Sequence, residues 1–182
     1  MFKGVLQPLD EIEQWYDKPD PWNYESNRSD LVRRANLLSV LPRKRYRRIL
    51  DIGSGDGFIT RRLPGDEVIG VDISNRAIQL AKDKFRDQSH LSFYPLSLFE
   101  LPDAGWGQSF DLIVIAGVLY PQYIAEGDQL AFSILDDLLV PGGHLVSVHI
   151  DEWYRFRFPY LTLHREYYSY REYSHHLEVY LK

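Results

Sequence analysis

The stretch Asp51-Ile52-Gly53-Ser54-Gly55-Asp56-Gly57 follows an apolar run that starts at Arg48 and precedes the segment Phe58–Leu63. The run Arg48–Ile52 reads as a short buried strand, and Phe58–Leu63 reads as the start of a helix. Glycines between such elements let the backbone turn sharply and approach a ligand closely. Asp72 ends the next predicted strand, Glu67–Asp72, about 20 residues after Asp51. A carboxylate in that place can accept both hydroxyls of a ribose. The pairing of glycine turn and acid points to an adenosine ligand in the crevice where the strand order of the sheet reverses.

Outward from this point the pattern alternates. Ser74 is the candidate cap of a helix over Arg76–Phe85. Leu91–Tyr94 reads as a third strand, and Phe110–Ala116 as a fourth, apolar enough to be buried on both faces. Asp128–Leu139 reads as a helix with Leu130, Ile134, Leu135 and Leu138 inward. Pro141-Gly142-Gly143 is expected to stop it and turn the chain into a fifth strand, His144–Ile150. Strands alternating with helices imply an α/β fold: a Rossmann-like, mostly parallel sheet with helices on both faces. The last thirty residues break the alternation. Tyr167–Arg171 and His176–Leu181 suit two strands, giving a C-terminal antiparallel hairpin.

The region before residue 48 reads as an N-terminal extension or lid. It holds a short helix near Leu9–Tyr16, a turn at Lys18-Pro19-Asp20-Pro21-Trp22, and a helix capped by Ser29 or Asp30 and running to about Val40. Leu31, Ala35, Leu38 and Leu41 are its expected inward stripe. The chain of 182 residues is read as one domain, with 48–150 as the cofactor-binding core and 151–182 as the sheet edge.

Composition narrows the partners. Lys and Arg number 21 against 26 Asp and Glu, for a formal charge of −5. That balance gives no overall attraction to nucleic acid or anionic membrane, so neither is expected as a partner. The absence of cysteine excludes disulfides and thiolate metal sites. No apolar run is long enough for a membrane span, and Met1–Asp10 lacks a signal pattern, so a soluble cytoplasmic protein is expected. The sequence does not set the oligomeric state.

On the glycine turn, Asp72, the apolar fourth strand and the Leu139–Gly143 turn, taken in that order, the chain resembles class I S-adenosylmethionine-dependent methyltransferases over residues 48 to 150. The resemblance implies that the cofactor is S-adenosyl-L-methionine, with S-adenosyl-L-homocysteine as product. It implies that Asp51, Gly53, Ser54, Gly55 and Gly57 wrap the methionine part. It places Asp72 on the ribose, and Ile73, Ser97 and Leu98 around the adenine. Ala116, Gly117 and Val118 then lie beside the transferring methyl. Many members carry an acid where this chain has Ser97, with Glu100 nearby. Asp20-Pro21-Trp22-Asn23-Tyr24 is similar to the opening segment of nodulation-type N-methyltransferases, which modify a chitooligosaccharide amine. That likeness implies that Trp22 lies over the cofactor.

The expected reaction is in-line transfer of a methyl group to a small-molecule amine or hydroxyl. Trp15, Tyr16, Trp22, Tyr24 and Tyr120 are candidate aromatic faces for the sulfonium. Tyr120 is a candidate substrate contact as well as a packing residue. His149 is a candidate general base, against local packing or hydrogen bonding. Asp151 and Glu152 either attract an amine or form a solvated turn. The basic run Arg43–Arg48 reads as a solvated face, and His175-His176 point to opposite sides of a strand, so no metal site is expected. A dehydrogenase is disfavoured because the glycine spacing is not G-x-G-x-x-G. The alternative to an enzyme is a non-catalytic module that binds the same cofactor as a partner or sensor.

Overall fold

The computed structural model describes residues 6–18, 20–154 and 156–182. Residues 1–5 of the N-terminal stretch and Pro19 of the expected turn lie outside them. Seven strands, β1 (Tyr46–Ile52), β2 (Gly65–Asp72), β3 (Leu91–Pro95), β4 (Phe110–Ala116), β5 (Leu139–Ile150), β6 (Leu161–Tyr170) and β7 (Tyr173–Leu181), form one sheet in the order β3-β2-β1-β4-β5-β7-β6. β1 to β5 pair in parallel. β7 runs antiparallel to both β5 and β6. The order reverses between β1 and β4, which opens a crevice at their carboxyl ends.

Alternation along the strands builds two cores. Leu50, Ile52, Ile69, Val71, Ile113 and Ile115 face one side with helix α5 (Asp128–Leu138). Ile49, Val68, Leu112, Val114, Val146 and Val148 face the other with Leu37 of α2 (Arg28–Ser39). This two-sided burial is why β4 reads as an unbroken apolar run. The aromatic tail joins the first core through Tyr154, Phe158 and Tyr180. Among the described residues no helix is long and apolar enough to cross a membrane.

Several local expectations are corrected. Phe58–Leu63 does not begin an α-helix; one short 3₁₀ turn, Thr60–Arg62, takes its place. Pro64 forces Leu63 into extended geometry, and Phe58, Ile59 and Leu63 are buried in the second core. The cap of α2 is Asn27, whose side chain accepts the Ser29 N–H at 2.9 Å, rather than Ser29 or Asp30. Leu31 and Ala35 are exposed, and α2 buries Asp30, Arg33 and Leu37. In α5 Leu130 is exposed and Ala131 buried. Pro141-Gly142-Gly143 does not interrupt the chain. It is absorbed into β5, with Gly142 at φ 74 and a register shift against β4 between Phe110 and Leu112. The expected cap at Ser74 is present: its hydroxyl accepts the Ala77 N–H at 3.1 Å and starts α3 (Asn75–Lys84).

Candidate active site

The crevice between β1 and β4 is a cavity of about 340 Å³. Its floor begins with the glycine loop. The N–H groups of Gly53 and Ser54 both donate to the Val71 carbonyl, at 2.8 and 3.0 Å, which curls the loop over the end of β2. As a result Gly53 is the one residue of 53–57 that lines the cavity, beside Ile52 of β1. Gly53 has φ 75, and a Cβ there would overlap Cγ2 of Val118. Gly53→Ala is therefore expected to destabilise the fold by about 1–3 kcal/mol through strain and overpacking. Chemical denaturation measures this loss, and an unchanged midpoint would refute the close-packing account.

The other loop residues support rather than line. The Gly55 N–H donates to Asp72 Oδ2 at 2.9 Å. Gly57 lies against the rings of Phe85 and Phe93. The hydroxyl of Ser54 is buried without a partner among the described residues. Asp51 turns away from the cavity and accepts a hydrogen bond from Thr60 Oγ1 at 2.6 Å.

Burial pushes the Asp51 carboxyl up to about 7, against the hydrogen bond from Thr60. In the unfolded chain such a group titrates near 4. Between these values the folded state holds the proton more tightly, so this group's contribution to stability falls as pH rises from about 4 to about 7. Asp51→Asn removes that slope. Its melting temperature relative to the parent is expected to rise from pH 5 to pH 7.5; parallel melting curves would refute it.

Asp72 ends β2 at the cavity wall. Its Oδ1 accepts the Ser74 N–H and its Oδ2 the Gly55 N–H, both at 2.9 Å. Each oxygen keeps a second lone pair, enough for two hydroxyl donors. Burial raises this carboxyl's pKa, while the backbone N–H groups of Ser74, Gly55 and Ile73 work against the rise. Ile73, Leu96, Ser97, Leu98 and Phe99 continue the wall as an apolar slot beside Asp72. Glu100 does not face the slot as a replacement acid. Its carboxylate accepts the Ser97 N–H at 2.7 Å and caps the short 3₁₀ helix Leu98–Ala104.

On the β4 side the wall is Ala116, Gly117 and Val118. Tyr120 and His149 stand outside it. Tyr120 is buried, and its hydroxyl accepts the Ile150 N–H at 2.8 Å. His149 is 1% exposed, with both ring nitrogens engaged by Leu119 and Ser147. Neither residue is among those that line the cavity.

The cover comes from residues 6–18 and 20–26. The carboxylate of Asp20 accepts the N–H of Tyr24 at 2.7 Å and of Glu25 at 3.2 Å, folding Asp20–Tyr24 into a tight loop. Trp22 and Tyr24 thereby line the cavity, together with Trp15 and Tyr16 around helix α1 (Leu9–Trp15). The cover is fastened at both ends. Glu13 accepts from Ser74 Oγ at 2.6 Å and from the N–H groups of Asn75 and Arg76, at the start of α3. The Gln7 N–H donates to the Gln122 carbonyl of α4 (Pro121–Ile124) at 2.9 Å.

The sequence reading missed Arg33. It lies on the cavity wall, buried, with its guanidinium 5.0 Å from the Tyr24 ring centre. Its partner Asp30, at 3.2 Å, is shared with Arg171 and the Tyr170 hydroxyl. Two arginines on one carboxylate leave excess positive charge, and Arg33 Nε is without a partner among the described residues. The site thus offers an acid for a ribose, an apolar slot for a flat base, a cation for a carboxylate, and aromatic faces between them.

A family model described as a methyltransferase domain matches residues 44–176. The chain belongs to the methyltransferase domain family. Nodulation protein S of Sinorhizobium fredii is 27% identical to this methyltransferase domain over 130 residues, 70% of this chain and 59% of the relative. A tRNA U34 carboxymethyltransferase of Psychromonas ingrahamii is 30% identical over 116 residues, 60% of this chain and 34% of the relative. The aligned region therefore spans 59% or less of the length of these curated relatives. The N-methyltransferase NodS of Bradyrhizobium japonicum WM9, crystallised with S-adenosyl-L-homocysteine, matches the fold with a TM-score of 0.79 at 24% identity, over 96% of this chain and 97% of that one.

Proposed function

We propose that this domain transfers a methyl group from S-adenosyl-L-methionine to a small-molecule amine, leaving S-adenosyl-L-homocysteine. The residues present fit that cofactor. Asp72 would take the ribose hydroxyls, Ile73, Leu98 and Phe99 would hold the adenine, and Arg33 would meet the methionine carboxylate; all five line the cavity. When bound, the cofactor supplies an activated methyl on a sulfonium. Trp15, Trp22 and Tyr24 present ring faces that favour a cation by about 0.5–2 kcal/mol each. The cover keeps water from the reacting atoms and holds the acceptor in line, and such positioning lowers a barrier by roughly 7–11 kcal/mol in favourable cases.

The observation that carries the amine is the lack of a free base among the described residues of the cavity wall. Asp72 is held by two backbone donors. Burial raises the hydroxyl of Tyr16, pushes that of Tyr24 to about 12, and raises that of Tyr123. A hydroxyl acceptor needs a side chain to take its proton. An amine can lose its proton to bulk water and enter with its lone pair free. The nodulation-type relatives, one titled an N-methyltransferase, favour the same choice.

The test is methyl transfer from isotopically labelled S-adenosyl-L-methionine to paired amines and alcohols of equal skeleton. Amines are expected to be methylated, with a rate that rises with pH until the free base dominates. Alcohol methylation alone would overturn the assignment. Tight cofactor binding with no acceptor methylated would favour the partner or sensor reading.

A further inference from the structure

His149 and Ser147 lie on β5, one strand beyond the cavity wall, yet His149 reaches the loop that forms it. His149 Nε2 accepts the Leu119 N–H at 3.1 Å, and its Nδ1 lies 3.0 Å from Ser147 Oγ. A nitrogen that accepts from an N–H carries no proton, so the ring is neutral with its proton on Nδ1, directed at Ser147. A second bond runs beside the first, from the Ile150 N–H to the Tyr120 hydroxyl at 2.8 Å. The Gly117 N–H donates to the Val148 carbonyl at 2.9 Å. Together these ties fix residues 117–120 to the end of β5. Within that loop Gly117 takes φ 71, and the Val118 side chain occupies the space that a Cβ at Gly53 would need.

We infer that His149 is a positioning residue whose Nδ1–H tautomer holds Leu119, and through it Val118, against Gly53, where the cofactor's amino-acid arm would lie. The inference rests on the cofactor assignment above. The surroundings of His149 favour the neutral ring from every side. Tyr120 and Tyr154 pack their rings on it at centroid distances of 5.4 and 4.4 Å. Of the groups that act on it, Arg157 is positive and opposes its protonation, and His175 and His176 of β7, whose own pKa values burial lowers, add no negative charge that would favour it. Burial acts in the same direction.

Two variants separate positioning from mere packing. A glutamine at this position can place an acceptor near the Nε2 site, whereas phenylalanine keeps the volume and removes it. His149→Phe is expected to bind S-adenosyl-L-homocysteine about tenfold more weakly than the parent, and His149→Gln within about threefold. A packing role alone would lower the melting temperature of both and separate their affinities in neither. Nitrogen NMR of the ligand-free parent reads the brace directly: Nε2 unprotonated and coupled to the Leu119 amide, from pH 8 down to pH 6. A protonated Nε2, or parental affinity in a folded His149→Phe, would overturn the inference. Failure of the parent itself to bind S-adenosyl-L-homocysteine would count against the cofactor assignment, while the NMR result would still decide the brace.

Discussion

Asp72→Ala is expected to weaken S-adenosyl-L-homocysteine binding by more than 100-fold while the protein stays folded. The carboxylate has one free lone pair on each oxygen after accepting from Gly55 and Ser74. Two ribose hydroxyls on a carboxylate contribute about 1.5–3 kcal/mol each, so losing both costs about 3 kcal/mol or more. The variant also releases the Gly55 N–H, which loosens the glycine loop and adds to the loss. Asp72→Asn keeps one acceptor and is expected to fall between the parent and the alanine variant. Calorimetric titration measures the affinity, and circular dichroism with thermal melting checks the fold. Parental affinity in a folded Asp72→Ala would sink the ribose assignment.

Arg33→Met is the second variant with a large expected effect. Methionine keeps the apolar stem in place and removes the charge. Losing a buried ion partner for the cofactor's carboxylate is expected to cost about 2–3 kcal/mol, roughly 30- to 150-fold in affinity. The variant also leaves Asp30 with Arg171 and Tyr170 alone, so a lower melting temperature is expected. 5′-Methylthioadenosine distinguishes the two effects, because it keeps the base and ribose but lacks the amino-acid arm. Its affinity is expected to stay within about twofold of the parent's while that of S-adenosyl-L-homocysteine drops. Equal losses for both ligands would mean that Arg33 acts only through the shape of the pocket.

How much of the fold and the site is legible in the sequence depends on the range of each signal. The parallel strands were plain because burial on both faces leaves no alternative to an apolar run, as in Phe110–Ala116. The terminal hairpin is visible from its density of aromatic residues, though β6 begins earlier, at Leu161. The helix expected after Gly57 failed because Pro64 lies too close for a full turn to develop, and the apolar residues that suggested it fill the sheet's face instead. Glu100 looked like a neighbour of the adenine in the sequence, yet the local cap at Ser97 claims its carboxylate.

The sequence by itself determined what depends on local geometry: a glycine turn that only glycines can make, an acid at the end of the following strand, and the alternation that yields a doubly covered sheet. Those features set the family and the outline of the pocket. Tertiary structure alone decided which polar side chains face the pocket. Arg33 looks like a solvated helix residue until Asp30 draws Arg171 and Tyr170 from the far end of the chain and turns that face of α2 inward. His149 looks like a base at a strand end until the Leu119 N–H claims its lone pair. A side chain's role follows from the partners that reach its donors and acceptors, and those partners are brought by the fold from distant parts of the sequence.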